Sequence, residues 1–516
     1  MPIRPARKTP GVYVTELDAF PPSIVGIQTA VPAFIGYTQT ATLSGKPILN
    51  KPVRISSLAD YEQIFGGAPD PKFILTEVTD TNKQQSGDYD FKIFDTAAAV
   101  WKYYDLVPAT GTKFVLYNSL RLFYANGGGT AYIVSVGDYS GSLDAAKLEE
   151  GLTIISEQVG PTMLVVPDAV NLPTSSDYGK IATAMLNQCG TLKDRVAVLD
   201  VYGGGTVTQA TLETVETDFR TLVGSKNLNY GMAYLPFLHT TVQEVSDFDY
   251  TNIETTQQLQ DILKLESANL YATNTARKSA VDADIMKIGT LTDPAEIQAL
   301  NQNLTAALPL LTDMLRIISR KDDVLPASGA MAGVYTWNDS NRGVWNAPAN
   351  VSLASVTSTT LKLNNTQQEN LNVPVDGKAI NALREFVGRG TVVWGARTLD
   401  GNSNDWRYIQ VRRTLVYVEQ SIKSALDRFV FAANDGNTWA SVVSMVSSFL
   451  QGLWSQGGLL GATASDAFSV ECGLGSTMTA QDVLEGYMVV QVTLQMIRPA
   501  EFIELTFKQK MEGASA

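Results

Sequence analysis

Met163-Leu-Val-Val-Pro167, Arg195-Val-Ala-Val-Leu-Asp200 and Gly231-Met-Ala-Tyr-Leu-Pro236 decide the architecture. Each is a short, nearly continuous apolar run, the pattern of a strand buried on both faces. The stretches between them, Ser176 to Cys189 and Thr211 to Val223, are amphipathic and read as helices, and Leu143 to Ser156 precedes them as a third. Strands and helices alternating in this way predict a doubly wound, mainly parallel sheet. Ala131-Tyr-Ile-Val-Ser-Val136 and Ala33-Phe-Ile-Gly-Tyr37 read as further buried strands.

Outward from this centre the texture varies. Pro52 to Gly67 reads as strand, cap, short helix and glycine stop, with Ser57 or Ser56 as N-cap and Gly66 just past the end. Residues 68–92 are polar and turn-rich, a surface excursion, and Asp95 to Tyr104 and Asn118 to Ala125 read as helices. Residues 255–320, rich in Gln, Leu and Ala, read as helices broken at Pro294 and Pro309. From 326 the composition turns to Gly, Asn, Ser and Trp. Alternation over 350–375 predicts short strands and loops, Val375 to Val387 a short helix, and 408–431 a long helix. Trp439, Val442, Val443, Val446, Phe449, Leu450, Leu453 and Trp454 recur at spacings of three and four, a strongly amphipathic helix whose other face is Ser441, Ser444, Ser448, Gln451 and Ser455. Both ends of the chain alternate as strands: Val12 and Val14 against Tyr13 near the start, then Tyr487 to Ile497, and after Arg498-Pro499 the residues Ile503, Leu505 and Phe507.

Composition removes several functions. The 516 residues allow two to four domains and a sizeable core. No apolar run reaches the roughly 20 residues of a membrane helix, so no membrane insertion is expected. The start, with Arg4, Arg7 and Lys8 followed by Glu16 and Asp18, lacks the apolar region of a signal peptide. The expectation is assembly in the cytoplasm, with release by lysis or within a particle. Cys189 and Cys472 are far apart and outside any CxxC motif, which favours two buried free thiols over a disulfide. The lone histidine, His239, removes His-rich zinc sites and argues against a Ser-His-Asp triad. A net charge of −13 argues against direct nucleic-acid binding. That charge is uneven: residues 37–325 carry −12, residues 326–516 carry −2 and residues 1–36 carry +1. An acidic middle between near-neutral ends suggests solvent around the middle and protein partners at the ends.

Motifs that mimic chemistry have plainer readings. Gly127-Gly128-Gly129 and Gly203-Gly204-Gly205 contain no GxxxxGK[ST] and read as loop glycines. Asp168, Asp177, Asp194 and Asp200 lie near strand ends, where a metal site could form, yet no aspartate-rich calcium loop is present, and capping and loop solvation explain them better. Arg412-Arg413 fits an acidic partner or an intrachain ion pair equally well. No cofactor is expected. The competing class is an α/β enzyme using residues 140–240.

A different kind of signal is spread in order along the chain. Pro10 to Val14, Val31-Pro-Ala-Phe-Ile-Gly36, Phe123 to Val134, Pro326-Ala-Ser-Gly-Ala-Met-Ala-Gly-Val-Tyr335, Arg342-Gly-Val-Trp-Asn-Ala-Pro-Ala349, Arg389 to Thr398 with its Trp394-Gly-Ala-Arg-Thr-Leu399, Tyr408-Ile-Gln-Val-Arg-Arg413, Leu450 to Ala462 and Arg498-Pro-Ala-Glu-Phe502 together resemble the sheath subunit of contractile tails. That family covers contractile phage tails, R-type bacteriocins and extracellular contractile injection systems. Residues 68–92 and 240–325 match it poorly.

The resemblance implies a structural protein, not an enzyme. It implies an α/β chain in which an α+β inner domain is built from both ends and a mainly parallel α/β outer domain is inserted between them. The corresponding divisions are an arm with a donated strand at 1–18, the start of the inner domain at 19–36, the inserted outer part at 37–325, the C-terminal inner domain at 326–500 and a second arm at 501–516. Val12, Tyr13, Val14, Phe502, Ile503, Leu505 and Phe507 would be donated to sheets of neighbouring copies. The partners implied are further copies in hexameric rings, an inner tube, and baseplate and tail-terminator or cap proteins. Contraction would need no nucleotide. Residues 376–428 hold 9 Lys and Arg against 6 Asp and Glu. Lys378, Arg384 and Arg389, in or beside the short helix expected there, would face an acidic tube, with internal pairing to Glu385 and Asp376 as the equal competitor. An injection system is preferred over a phage tail, and a type VI sheath, divided between two proteins, ranks lower.

Overall fold

The computed structural model describes residues 24–111 and 113–504. They fall into two compact units, a larger one of residues 28–416 with 498–504 and a smaller one of residues 24–27 with 417–497.

The larger unit is built on one sheet. Its first strands are β1 (Pro32–Gly36) and β2 (Val53–Ile55), followed by α1 (Leu58–Phe65). Ser57 caps α1 through its side chain and Gly66 closes it at φ 81°, as the sequence predicts. Three antiparallel strands come next, β3 (Phe73–Glu77), β4 (Phe91–Asp95) and β5 (Val100–Pro108), with α2 (Thr81–Ser86) between the first two. Then α3 (Leu116–Ala125), β6 (Ala131–Ser135), α4 (Ala145–Ser156), β7 (Met163–Val165), α5 (Ser175–Leu192), β8 (Val196–Asp200), α6 (Leu212–Leu222) and β9 (Gly231–Leu235) alternate. After β10 (Leu238–Thr240), helices α7 (Thr256–Leu270), α8 (Thr275–Ile285), α9 (Pro294–Ala307) and α10 (Pro309–Asp322) follow. Pro294 and Pro309 open helices at the first position, where the missing N–H costs nothing. The unit continues with β11 (Val324–Leu325), α11 (Ser328–Arg342), β12 (Val356–Thr359), α12 (Asn365–Asn372), β13 (Asn381–Phe386) and β14 (Gly390–Val393). Helix α13 (Ile409–Leu426) begins in this unit and ends in the smaller one.

The main sheet runs β14-β13-β9-β8-β7-β1-β6-β2. Its six inner strands are parallel, and antiparallel pairs close both edges. The strands read from the sequence at 163–167, 195–200 and 231–236 are its centre, fully buried, as their unbroken apolar character requires. The chain moves from β1 one way to β6, then back through β7, β8 and β9. Right-handed crossovers therefore place α4, α5 and α6 on one face and α3 on the other. Helix α11 packs directly on α3. A Cβ on Gly329 would lie 2.4 Å from the Ser119 carbonyl, and one on Gly333 2.4 Å from the Phe123 carbonyl. These two glycines, one turn apart, let the helix backbones touch, which explains the Ser-Gly-Ala-Met-Ala-Gly wording at 328–333. A second apolar core joins the inner face of β3, β4 and β5 to α7–α10, with Phe73, Leu75, Phe91, Ile93, Leu106, Leu263 and Leu311 buried in it. Strands β11, β10 and β12 form a small antiparallel sheet that carries His239, half-buried.

Three expectations are corrected. Asp95 to Tyr104 is the turn and paired arms of a hairpin, not a helix. Asp95 accepts the N–H groups of Ala97 and Ala98, and Ala99 turns the chain at φ 56°. Val375 to Val387 is not a helix: its second half is strand β13, paired parallel to β9. The 350–375 stretch contains a helix, α12, opened by reciprocal capping between Asn364 and Gln367. In addition, the surface excursion at 68–92 contributes Phe73 and Leu75 of β3 and Phe91 of β4 to the second core, while its helix α2 buries no residue, and the change of texture at 326 falls inside the larger compact unit.

In the smaller unit, α14 (Gly436–Ser455) buries Val442, Met445, Val446, Leu450 and Leu453, and its Ser441, Ser444, Ser448, Gln451 and Ser455 face is exposed. Strands β15 (Phe468–Glu471) and β16 (Gln491–Leu494) pair antiparallel beside α14. The N-terminal piece is fastened here: Ile27 N–H donates to Ser421 Oγ at 3.2 Å. Among the described residues no helix is long and apolar enough to cross a membrane.

Candidate assembly interface

Three motifs quoted from the sequence meet at one carboxylate. Arg397 and Tyr408 face each other across an antiparallel bridge, with Ile409 N–H on the Ala396 carbonyl and Thr398 N–H on the Arg407 carbonyl. Between them comes Glu501. Arg397 Nε donates to its Oε1 at 2.9 Å and Nη2 to its Oε2 at 2.6 Å. Asn372 Nδ2 reaches Oε1 at 2.7 Å and the Tyr408 hydroxyl reaches Oε2 at 3.1 Å. Arg397 is held in turn. Its Nη1 donates to the Asn372 carbonyl, and its backbone N–H to Asn381 Oδ1 at 2.7 Å. Buried Asn381, on β13, donates to the carbonyls of Arg397 and of Ala233 on β9. Burial pushes the Glu501 carboxyl up, but the hydrogen bonds from Arg397 and Asn372, the Arg397 charge and the Tyr408 hydroxyl outweigh it and hold the group below its ordinary value. The residues quoted from the motifs are present at the junction, whereas Asn372 and Asn381 carried no signal: nothing in a single sequence pairs positions more than a hundred residues apart.

Beyond Glu501 the side chains open to solvent. Phe502 is 75% and Ile503 78% exposed, and residues 501–504 pair in no strand among the described residues. Val12, Tyr13, Val14, Leu505 and Phe507 lie outside the described residues. The three basic residues occupy neither one element nor one environment. Half-buried Lys378 precedes β13 and donates to the Arg220 carbonyl at 2.5 Å. Arg384, on β13, donates to Asn365 and Gln368 of α12, and exposed Arg389, in the β13–β14 turn, to Asn350. None of the three forms a side-chain ion pair among the described residues: Asp376 accepts the backbone N–H of Lys378 at 3.1 Å and lies 3.8 Å from Arg220 Nε, and Glu385 pairs with Lys362 at 3.2 Å.

The arginine pair resolves as intrachain contacts. Arg413 makes a bidentate pair with Asp339 of α11 at 2.9 and 2.6 Å, both side chains being 4% exposed or less, donates to the Thr29 carbonyl, and lies over the Tyr335 ring. Arg412 lies over the rings of Tyr230 and Trp406.

In the smaller unit, β15 and β16 stand as a two-stranded sheet among the described residues, so each strand presents an open edge. Phe468, Val470, Val492 and Leu494 line the half-buried face. Among the described residues, the same unit leaves Phe431, Leu460, Leu474, Leu484 and Tyr487 exposed.

The acids at the strand ends are structural. Asp168 is buried and accepts the N–H groups of Tyr37, Val115 and Leu116, and Asp200 accepts that of Ser328 at 2.8 Å. Leu116 and Ser328 open α3 and α11, whose own cap positions, Val115 and Ala327, supply no side-chain acceptor. Each aspartate caps a helix remote in sequence. Burial pushes Asp168 up to about 6 and Asp200 to about 7, against the pull of those hydrogen bonds. Asp177 pairs with Lys180 and Asp194 with Arg195. No group of three or more His, Cys, Asp or Glu able to hold a metal occurs among the described residues. Cys189 and Cys472 are free. Cys189 is buried, and Cys472, expected to be buried, is partly exposed.

Comparison with known proteins agrees with this picture. The family description of the phage tail sheath protein central domain matches residues 134–399, and that of the phage tail sheath C-terminal domain matches residues 402–510. None of the curated protein sequences matches. Among solved structures, the chain is similar to one from the six-fold symmetrised baseplate of the anti-feeding prophage, at 26% identity and a TM-score of 0.59, covering 98% of this chain and 100% of that one. It is similar to the sheath of the extracellular contractile injection system PVC in its contracted state, at 26% identity, a TM-score of 0.59 and 98% and 99% coverage. It is also similar to the helical sheath of the anti-feeding prophage in its contracted state, at 25% identity, a TM-score of 0.59 and 98% and 100% coverage.

Proposed function

The chain belongs to the phage tail sheath family: it is a structural subunit of a contractile sheath, not an enzyme, and we propose that it polymerises as stacked hexameric rings around an inner tube and contracts to drive that tube through a target membrane. The observation that carries this reading is likeness along almost the whole chain to sheath structures of two extracellular contractile systems. It favours an injection system over a contractile phage tail. The particle would be assembled in the bacterial cytoplasm and act outside the cell, with the inner tube, baseplate and cap proteins as further partners.

Assembly proceeds by strand donation. Residues 10–18 of one copy and 501–509 of another add to the sheets of their neighbours. The open edges of β15 and β16 support this reading. Each main-chain hydrogen bond contributes about 0.5–1.5 kcal/mol net, but a row of them is directional and holds a neighbour while its body rotates. Head-to-tail contacts of this kind extend into open polymers. Contraction is then a rigid-body rearrangement from a metastable extended lattice to one that buries more surface. Lys378, Arg384 and Arg389 face the tube. What supports their role is that none is neutralised by a carboxylate among the described residues.

Negative-stain microscopy of the expressed chain tests the reading. Striated hollow cylinders uphold it, and discrete monomers at high concentration refute it. The tube-facing role is tested by Lys378→Glu with Arg384→Glu, which should abolish tube-templated assembly; unchanged assembly excludes it.

A further inference from the structure

We infer that Arg397 and Glu501 are positioning residues for assembly: together they pin the chain to the larger unit at residue 501, so that a strand donated from beyond it would start from one fixed point. This deepens the strand-donation reading and rests on it.

Ion pairs in solvent hold little. This one differs in three ways. The Arg397 side chain is 4% exposed and that of Glu501 19%, so water competes weakly for either. Four hydrogen bonds converge on the carboxylate, two of them the parallel fork of a guanidinium, which fixes orientation as well as distance. The arginine is also seated on the sheet: its backbone N–H meets Asn381 of β13, whose side chain binds the Ala233 carbonyl of the neighbouring β9. A pull on Glu501 therefore passes through two side chains into two paired strands of the main sheet. One residue later the side chains turn to solvent: Phe502 and Ile503 are largely exposed and border the same cleft as Trp394 and Tyr408. The change from buried to exposed sets where a donated strand starts. A strand that departs in one direction loses less freedom on docking than one on a loose root, so it docks at lower concentration.

The test uses the full chain with Cys472→Ser and nitroxide labels at Thr366→Cys and Ile503→Cys; Cys189 is buried and stays unlabelled. Below the assembly concentration, the parent should give a narrow distance distribution and Glu501→Ala a broad one, with Glu501→Gln, which keeps one acceptor oxygen, in between. The critical concentration for cylinder growth should rise about tenfold in the unlabelled Glu501→Ala chain. Amide exchange in β8 and β9 should match the parent, which separates a lost pin from a weakened fold. A Glu501→Ala chain with the parent's distance width and critical concentration overturns the inference. Deletion of 502–516, with Glu501 retained, tests strand donation separately: cylinders that still grow defeat that reading, while the distance width continues to decide the pin.

Discussion

Replacing Asp200 by asparagine should stabilise the larger unit in base and not in acid. Asp200 ends β8, is buried, and offers Oδ1 to the first N–H of α11, a bond an amide oxygen can also accept. What asparagine removes is the buried charge. Burial raises the carboxyl from 3.8 to about 7. The folded chain therefore keeps a proton that the unfolded chain has released between these values. The resulting stability is fully present below the ordinary carboxyl value and is lost as pH rises through about 7. At about 1.4 kcal/mol per unit, the whole shift amounts to about 4 kcal/mol, and the part lost between pH 5 and pH 8 to about 2.5 kcal/mol. Asp168 titrates in both chains and cancels in the difference. Equilibrium urea unfolding of the full chain below its assembly concentration, with amide exchange read in β8 and α11, should show the Asp200→Asn chain gaining about 2.5 kcal/mol on the parent between these pH values. A difference that does not change with pH, or an asparagine chain that loses ground at pH 8, refutes the reasoning. In the second case the ionised carboxylate would be what α11 needs.

Asp339→Ala leaves the Arg413 guanidinium buried without its carboxylate and should cost about 3–5 kcal/mol in the same unfolding assay. Gly333→Ala drives a methyl into the Phe123 carbonyl, with no flexible side chain to yield, and should cost about 1–3 kcal/mol by forcing α3 and α11 apart. A maleimide added to the native chain should label Cys472 and spare Cys189, whose thiol burial pushes far up; mass spectrometry of the tryptic peptides reads this directly.

What the sequence revealed follows from how each segment is buried. Met163–Val165, Val196–Asp200 and Gly231–Leu235 are legible because a strand covered on both faces tolerates only apolar residues. Val100–Pro108 was misread because the outer face of its sheet is itself apolar: Val100, Trp101 and Val107 are exposed, so no period of two emerges, and the preceding alanines imitate a helix. β13 failed for the opposite reason. It carries Asn381, Arg384 and Glu385, and Ile380, Leu383 and Phe386 mimic helical spacing, although the strand is sealed into the sheet by β9 and β14. Helix α12 buries Leu371 alone, so its capping pair was the one signal available. At the assembly interface, the motifs around Arg397, Tyr408 and Glu501 stood out as words, but their meeting is a product of the fold.

The backbone passes between the two compact units three times, at 27–28, 416–417 and 497–498. Neither unit is thus a continuous stretch of gene, and a protease that nicks one junction leaves both halves joined by the remaining connections. An exchange confined to a single continuous segment of gene would therefore carry away only part of at least one unit and leave the rest of it behind.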